Sequence, residues 1–171
     1  LFPYTTLFRS AQCEAGVRVL AQFYPNIRAL RDVTFGQLEQ HKRELPEVVY
    51  RRCRHVITEN ARVIEAGEEL EQHDLNRFGK LMGASHVSLR DDYEVSSDEL
   101  DLMVELAEKI DGVYGARMTG GGFGGSTVNL VREEQADEFR TRVAKEYEQV
   151  TGLKPEIYVR SAGNGAEEVL G

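Results

Sequence analysis

Five glycines in six positions, Gly120-Gly121-Gly122-Phe123-Gly124-Gly125, limit what this chain can fold into more than any other stretch. Glycine loses more backbone freedom on folding than other residues, so such a cluster stands where the chain needs φ > 0 or where another group must approach the backbone. Its flanks, Val113-Tyr114-Gly115-Ala116-Arg117-Met118 and Thr127-Val128-Asn129-Leu130-Val131, are short and β-prone, which predicts strand, glycine loop, strand. The six residues also satisfy G-x-G-x-x-G. A dinucleotide fingerprint, however, needs a helix to begin inside the glycines, and none begins before Glu133. Two readings fit the residues alone: a backbone surface pressed against a ligand, and a long hairpin connection with no ligand.

Around the loop the sequence is helical. Val17, Leu20 and Phe23 share a helical face between Ala11 and Tyr24, ended by Pro25. Thr34 is placed to cap a short helix carrying Phe35 and Leu38. Pro46 suits a first helical turn, and Val49, Cys53, Val56, Ile57, Val63, Ile64 and Leu70 extend the pattern to about Gln72. Arg51, Arg52 and Arg54 fall mostly on other faces and read as solvated surface, with a phosphate contact as the alternative. Asp74 caps a helix bearing Leu75, Phe78, Leu81 and Met82, which is expected to break near Ser88. The connection Ser85-His86-Val87-Ser88-Leu89-Arg90-Asp91-Asp92-Tyr93-Glu94-Val95-Ser96 concentrates polar groups and is the second candidate site element. In the plainer reading Arg90 pairs with Asp92, and Ser96 with Glu99 forms a capping box for a helix from Asp98 to Ile110, closed by Gly112. A helix from about Glu133 to Val150 carries Phe139, Val143 and Tyr147 in line, Ile157-Tyr158-Val159 alternates as a third strand, and Ala162-Gly163-Asn164-Gly165 reads as loop. The expected class is α+β: a small, mostly antiparallel sheet covered by helices, with a fourth strand expected upstream.

A length of 171 residues with 41% hydrophobic residues supports one core. A net charge of -8 argues against nucleic acid or an anionic membrane as main partner. There is no apolar run of membrane-spanning length and no signal-peptide pattern, and Cys13 and Cys53 make no disulfide framework, so free thiols in a reducing cytoplasm are expected. The first ten residues, Leu1-Phe2-Pro3-Tyr4-Thr5-Thr6-Leu7-Phe8-Arg9-Ser10, match translated sequencing adapter. We read residues 1–10 as not native and residues 11–171 as the domain; a genuine apolar strand is the competing reading.

Three segments together carry a family resemblance. Met118-Thr119-Gly120-Gly121-Gly122-Phe123-Gly124-Gly125-Ser126-Thr127 resembles the third galactokinase signature, usually MTGGGFGGCT. Ser85 to Ser96 resembles the family's SHxSLRDDYEVS segment, and Arg52-Cys53-Arg54-His55-Val56-Ile57-Thr58-Glu59-Asn60 is similar to its RARHVxxEN helix. They stand in family order, with similarity from about Ala11 to the end. The resemblance is to the galactokinase branch of the GHMP small-molecule kinases, and to the C-terminal portion only. Ser126 replaces the usual cysteine, and Gly83 stands where asparagine is common, a mid-helix glycine costing about 1 kcal/mol.

The resemblance implies transfer of the γ-phosphoryl of ATP to the 1-hydroxyl of galactose with Mg²⁺. It also implies that the catalytic aspartate and its arginine, the sugar-recognition segment and the phosphate loop lie upstream of Ala11. No catalytic residue is therefore assigned here, and the N-terminal half of the same protein is the expected partner. Gly120, Gly121, Gly122, Gly124 and Gly125 are assigned to shaping the active site by supporting the loop opposite, and their amides suit anions. Arg90, Asp91 and Asp92 are expected to stand behind that site; neither aspartate is read as the base. His55 with Glu59, and His86 with Asp91, lack a third metal ligand and are read as structural. A non-catalytic galactokinase-like sugar sensor, and a kinase for N-acetylgalactosamine or arabinose, are the alternatives.

Overall fold

The computed structural model describes residues 2–163, with side chains from Phe8 onward. Its elements run α1 (Phe2–Leu20), α2 (Phe35–Gln40), α3 (Glu47–Glu71), α4 (Leu75–Asp91), α5 (Asp98–Glu108), β1 (Val113–Thr119), β2 (Ser126–Val131) and α6 (Ala136–Thr151), with short 3-10 turns before α2, α3 and α6. Local chemistry sets several boundaries as expected. Thr34 Oγ1 accepts from the Gln37 amide at 3.2 Å while Gln37 accepts from the Thr34 amide at 2.9 Å, a reciprocal cap on α2. Asp74 caps α4 through the Arg77 amide at 2.9 Å.

Other boundaries move. Helix α1 stops at Leu20 rather than near Tyr24, and Phe23 lies outside it, stacked on His41 at 3.8 Å. Residues 2–10 continue this helix and form no strand. Pro46 is the N-cap of α3, one position earlier than expected. The α4 helix continues to Asp91, so Ser85 to Arg90 lie on a helix and only Asp92 to Ser97 connects. Ser97, not Ser96, caps α5, because Ser96 Oγ donates instead to Asp101 at 2.5 Å.

Burial follows the periodicity only where a partner covers the helix. Leu20 of α1, Leu38 of α2, and Val49, Cys53 and Ile57 of α3 form one core. Both cysteines are free, and burial pushes the Cys53 thiol up to about 12, which keeps it protonated. Further along α3, Val63, Ile64 and Leu70 are exposed, while α4 meets other positions of that half of the helix through Arg77, paired with Glu65. Phe139 and Val143 of α6 join Val104 and Ala107 of α5, Ile110 just after it, and Ala116 of β1 in a second core. Met118 packs with Val95 and Leu100.

The sheet is antiparallel, pairing Ala116 with Asn129 and Met118 with Thr127, with a bulge at Tyr114. β2 takes one edge of β1, and α4 takes the other. The Met118 amide donates to His86 Nδ1 of α4 at 3.2 Å. Where the two elements cross, Gly79 and Gly115 meet backbone to backbone: a Cβ on Gly79 would lie 1.7 Å from the Tyr114 carbonyl oxygen. The third strand is not formed among the described residues. Ile157 packs beside the second core, but Tyr158 and Val159 are exposed without strand partners. The outer edge of β1 is taken by a helix, and residues 157–159 do not pair with the outer edge of β2. Ala162 and Gly163 have no regular structure, while Asn164 and Gly165 lie outside the described residues.

Candidate functional site

The glycine loop projects from the β1–β2 hairpin and divides into two kinds of position. Gly122 is buried at φ +80°, and a Cβ there would lie 2.0 Å from the Val95 carbonyl oxygen. The next residue, Phe123, takes φ +60° and donates its amide to that same oxygen at 2.7 Å. Gly120, Gly121, Gly124 and Gly125 are different: a Cβ on any of them would meet nothing within 4 Å. Three of these four also have positive φ. The loop is thus pinned at its centre and open on both shoulders, where bare backbone can meet an anion or another loop. Two surface grooves, of about 670 Å³ along α6 and about 260 Å³ between α3 and α4, involve none of the glycines. No described residue closes over either shoulder.

The pin at Val95 belongs to the turn after α4, and three arginines of α3 hold that turn. Arg52 donates to the Asp92 carbonyl and to Glu94 Oε2 at 2.5 Å. Arg51 pairs with Glu94 at 2.6 Å and reaches the Asp91 carbonyl at 3.1 Å. Arg54 binds the Asp92 carboxylate, with Nε at 2.9 Å. Arg9, within the segment read as not native, also donates to the Tyr93 carbonyl at 2.7 Å and to that of Glu94, and its guanidinium lies over the Phe123 ring at 5.0 Å. The expectation of a solvated basic face fails for Arg52, which is only 4% exposed. The acidic turn folds back onto α3 and covers it. The hydrogen bond from Arg52 holds the Glu94 carboxyl below the usual carboxylate range.

Of the three charged residues expected behind the site, Asp92 is buried against this cluster, whereas Arg90 and Asp91 pair with each other at the surface at 2.8 Å. The expected Arg90–Asp92 pair is not made, because α4 runs through Arg90 and only Asp92 turns inward. Ser88 Oγ links Asp92 Oδ2 at 3.1 Å to His55 Nδ1 at 3.0 Å, and Tyr93 stacks on His55 at 4.5 Å. Glu59 accepts from Ser85 at 2.5 Å and from Arg62 at 2.8 Å. Burial raises the Glu59 carboxyl, but these hydrogen bonds outweigh it and hold it low. His55 and Glu59 each make structural bonds, as does His86, whose Nε2 lies 3.2 Å from Asp101 without hydrogen-bond geometry. Among the described residues no three imidazole, thiol or carboxylate groups converge as a metal site. The sequence reading missed Val95 and Arg52; the only signal for Arg52 was the arginine run beside the acidic segment.

Two expected outcomes arise here. Burial lowers the His55 imidazole to about 4, so the folded protein keeps it neutral while the unfolded chain protonates it near 6.5. The unfolded state then binds more protons between those values, and stability should fall by about 1.4 kcal/mol per pH unit as pH drops through that window. Urea titrations at pH 7, 6, 5 and 4 measure this; a His55→Gln variant should flatten the slope, and an equal slope in both would count against it. For Gly122→Ala, the Cβ would meet the Val95 carbonyl in a left-handed backbone, so a loss of roughly 2 kcal/mol is expected, read from urea midpoints.

With this geometry in place, comparisons with known proteins bear on it. Residues 67–149 match the family model described as GHMP kinases C terminal. A galactokinase of Roseiflexus is 47% identical over 162 residues, covering 95% of this chain and 41% of its own length. One of Actinobacillus succinogenes is 43% identical over 164 residues, covering 94% and 41%. Among solved structures, the galactokinase of Lactococcus lactis complexed with galactose superimposes with a TM-score of 0.84 at 35% identity, covering 90% of this chain and 40% of that one. The chain spans 41% of the length of these two curated relatives.

Proposed function

Because this chain belongs to the GHMP kinases, with galactokinases matching nearly all of it, we propose that it is part of a galactokinase that moves the γ-phosphoryl of ATP to the 1-hydroxyl of galactose. The observation that carries the reading is the glycine loop, pinned at Gly122 and bare at Gly120, Gly121, Gly124 and Gly125. Catalysis of phosphoryl transfer is mostly positioning and charge stabilisation, and small open backbone suits a surface that must come close to phosphates or to the loop that holds them. ATP fits that surface. Mg²⁺ would accompany ATP, as the resemblance implies, held largely by the phosphates; among the described residues no three candidate ligands converge to hold it alone.

In this proposal residues 11–171 form the C-terminal domain, residues 1–10 are adapter, and the proton-accepting aspartate with its arginine stands in sequence before Ala11. Asp92 supports the loop from behind through the turn it anchors, while Arg90 and Asp91 stay at the surface. Among the described residues no helix is long and apolar enough to cross a membrane. On the family resemblance we place the enzyme in the cytoplasm, with galactose and ATP as its partners.

The test is to recover the reading frame upstream of the Ala11 codon from a library with different adapters, express the extended protein, and measure galactose-dependent ADP release. Formation of galactose 1-phosphate supports the proposal. Binding of both ligands without turnover would move the protein to the sensor class, and preference for N-acetylgalactosamine or arabinose would change the sugar. The present chain alone is expected to release no ADP above background, and turnover by it would overturn the division of labour.

A further inference from the structure

We infer that Arg52 is a positioning residue for the glycine loop, acting through the turn after α4; this rests on the reading of that loop as a wall of the phosphoryl-transfer site. The link runs through atoms in contact. One guanidinium, 4% exposed, ties three elements: Nε donates to Gln12 of α1 at 3.1 Å, one terminal nitrogen to the Asp92 carbonyl, and the other to Glu94 at 2.5 Å. One residue past Glu94 comes Val95. Its amide is held by the Leu89 carbonyl at 3.0 Å, and its own carbonyl receives the Phe123 amide at 2.7 Å while Gly122 lies against it. The position of the loop's centre therefore follows the position of the turn, and Arg52 fixes the turn from inside the protein.

Arg51 and Arg54 reach the same turn from more open positions, with side chains 29% and 39% exposed against 5% for Arg52. A lysine cannot replace the fork, because one ammonium on a flexible stem cannot satisfy three acceptors spread around a planar group. Misplacing a catalytic surface by about 1 Å from a remote site can cost on the order of 100-fold in rate. Control of the loop's seat is thus enough to affect turnover without touching a substrate.

The experiment is amide hydrogen exchange on the present chain with Arg52→Lys, together with Glu94→Gln, which keeps the arginine and removes only one partner's charge. In Arg52→Lys the Phe123 amide should exchange about tenfold faster, with a smaller change in Glu94→Gln, while the Val143 and Ala107 amides of the second core keep their protection. Unchanged protection at Phe123, or equal loss everywhere, would overturn the link. In the extended protein, Arg52→Lys should lower kcat about tenfold or more with KM for galactose within about twofold. Faster Phe123 exchange with an unaltered kcat would instead sink the loop's role in the reaction, leaving the mechanical link standing.

Discussion

A single methyl group placed on Gly79 or on Gly115 is expected to destabilise this domain by about 3 kcal/mol or more, enough to leave a marginal fold largely unfolded. At Gly79 the new Cβ would stand 1.7 Å from the Tyr114 carbonyl oxygen and 2.9 Å from the Gly115 nitrogen; at Gly115 it would stand 2.3 Å from the Gly79 carbonyl oxygen. No rotamer relieves a contact between a Cβ and backbone. Either α4 must move off the edge of β1, which breaks the His86 bond to the Met118 amide, or the bulge at Tyr114 must be remade. Gly83→Ala on the same helix is the control. Its Cβ would meet only the end of the Glu108 side chain, at 3.1 Å, and alanine is the better helix former, so that variant should be neutral or slightly stabilising. Urea midpoints of the three variants separate the cases; a Gly79→Ala protein as stable as Gly83→Ala would refute the close crossing.

Asp92→Ala should be nearly as damaging, at roughly 3–5 kcal/mol, while Asp91→Ala should cost less than about 1 kcal/mol. The two residues are neighbours of identical chemistry and differ only in surroundings. Asp92 is 5% exposed and receives Arg54 and Ser88 at its carboxylate. Removing it leaves the buried Ser88 hydroxyl without its acceptor and the partly exposed Arg54 guanidinium without its counter-charge, which costs more than the lost attraction itself. The Asp91 side chain is 51% exposed and meets only Arg90, where solvent screens the pair. Thermal unfolding with matched denaturant titrations tests the difference; similar losses for the two variants would mean that Asp92 is not anchored as described. Because Asp92 sits on the turn that seats the glycine loop, its variant should also loosen the Phe123 amide.

Much of the fold was legible because it depends on neighbours in sequence. Thr34 and Asp74 cap their helices through side chains that reach three residues ahead, and Phe139, Val143 and Tyr147 line up on α6 by helical period alone. The glycine cluster between two β-prone runs specified a hairpin, and with two further segments it pointed to a kinase family. What sequence could not specify was what each face would meet. The same periodicity that buries Val49 and Ile57 also includes Val63 and Ile64, which are exposed although α4 lies against neighbouring positions such as Glu65. Ile157-Tyr158-Val159 alternates like a strand but pairs with neither strand of the sheet. Arg52 reads as surface until an acidic turn some 40 residues later folds over it. Gly79 and Gly115 read as ordinary helix and strand glycines until their backbones cross. Local propensity and period act over a few residues and are written in the chain directly. Burial, ion pairing across elements and close backbone approach depend on which distant segments come together, and only the folded arrangement decides that.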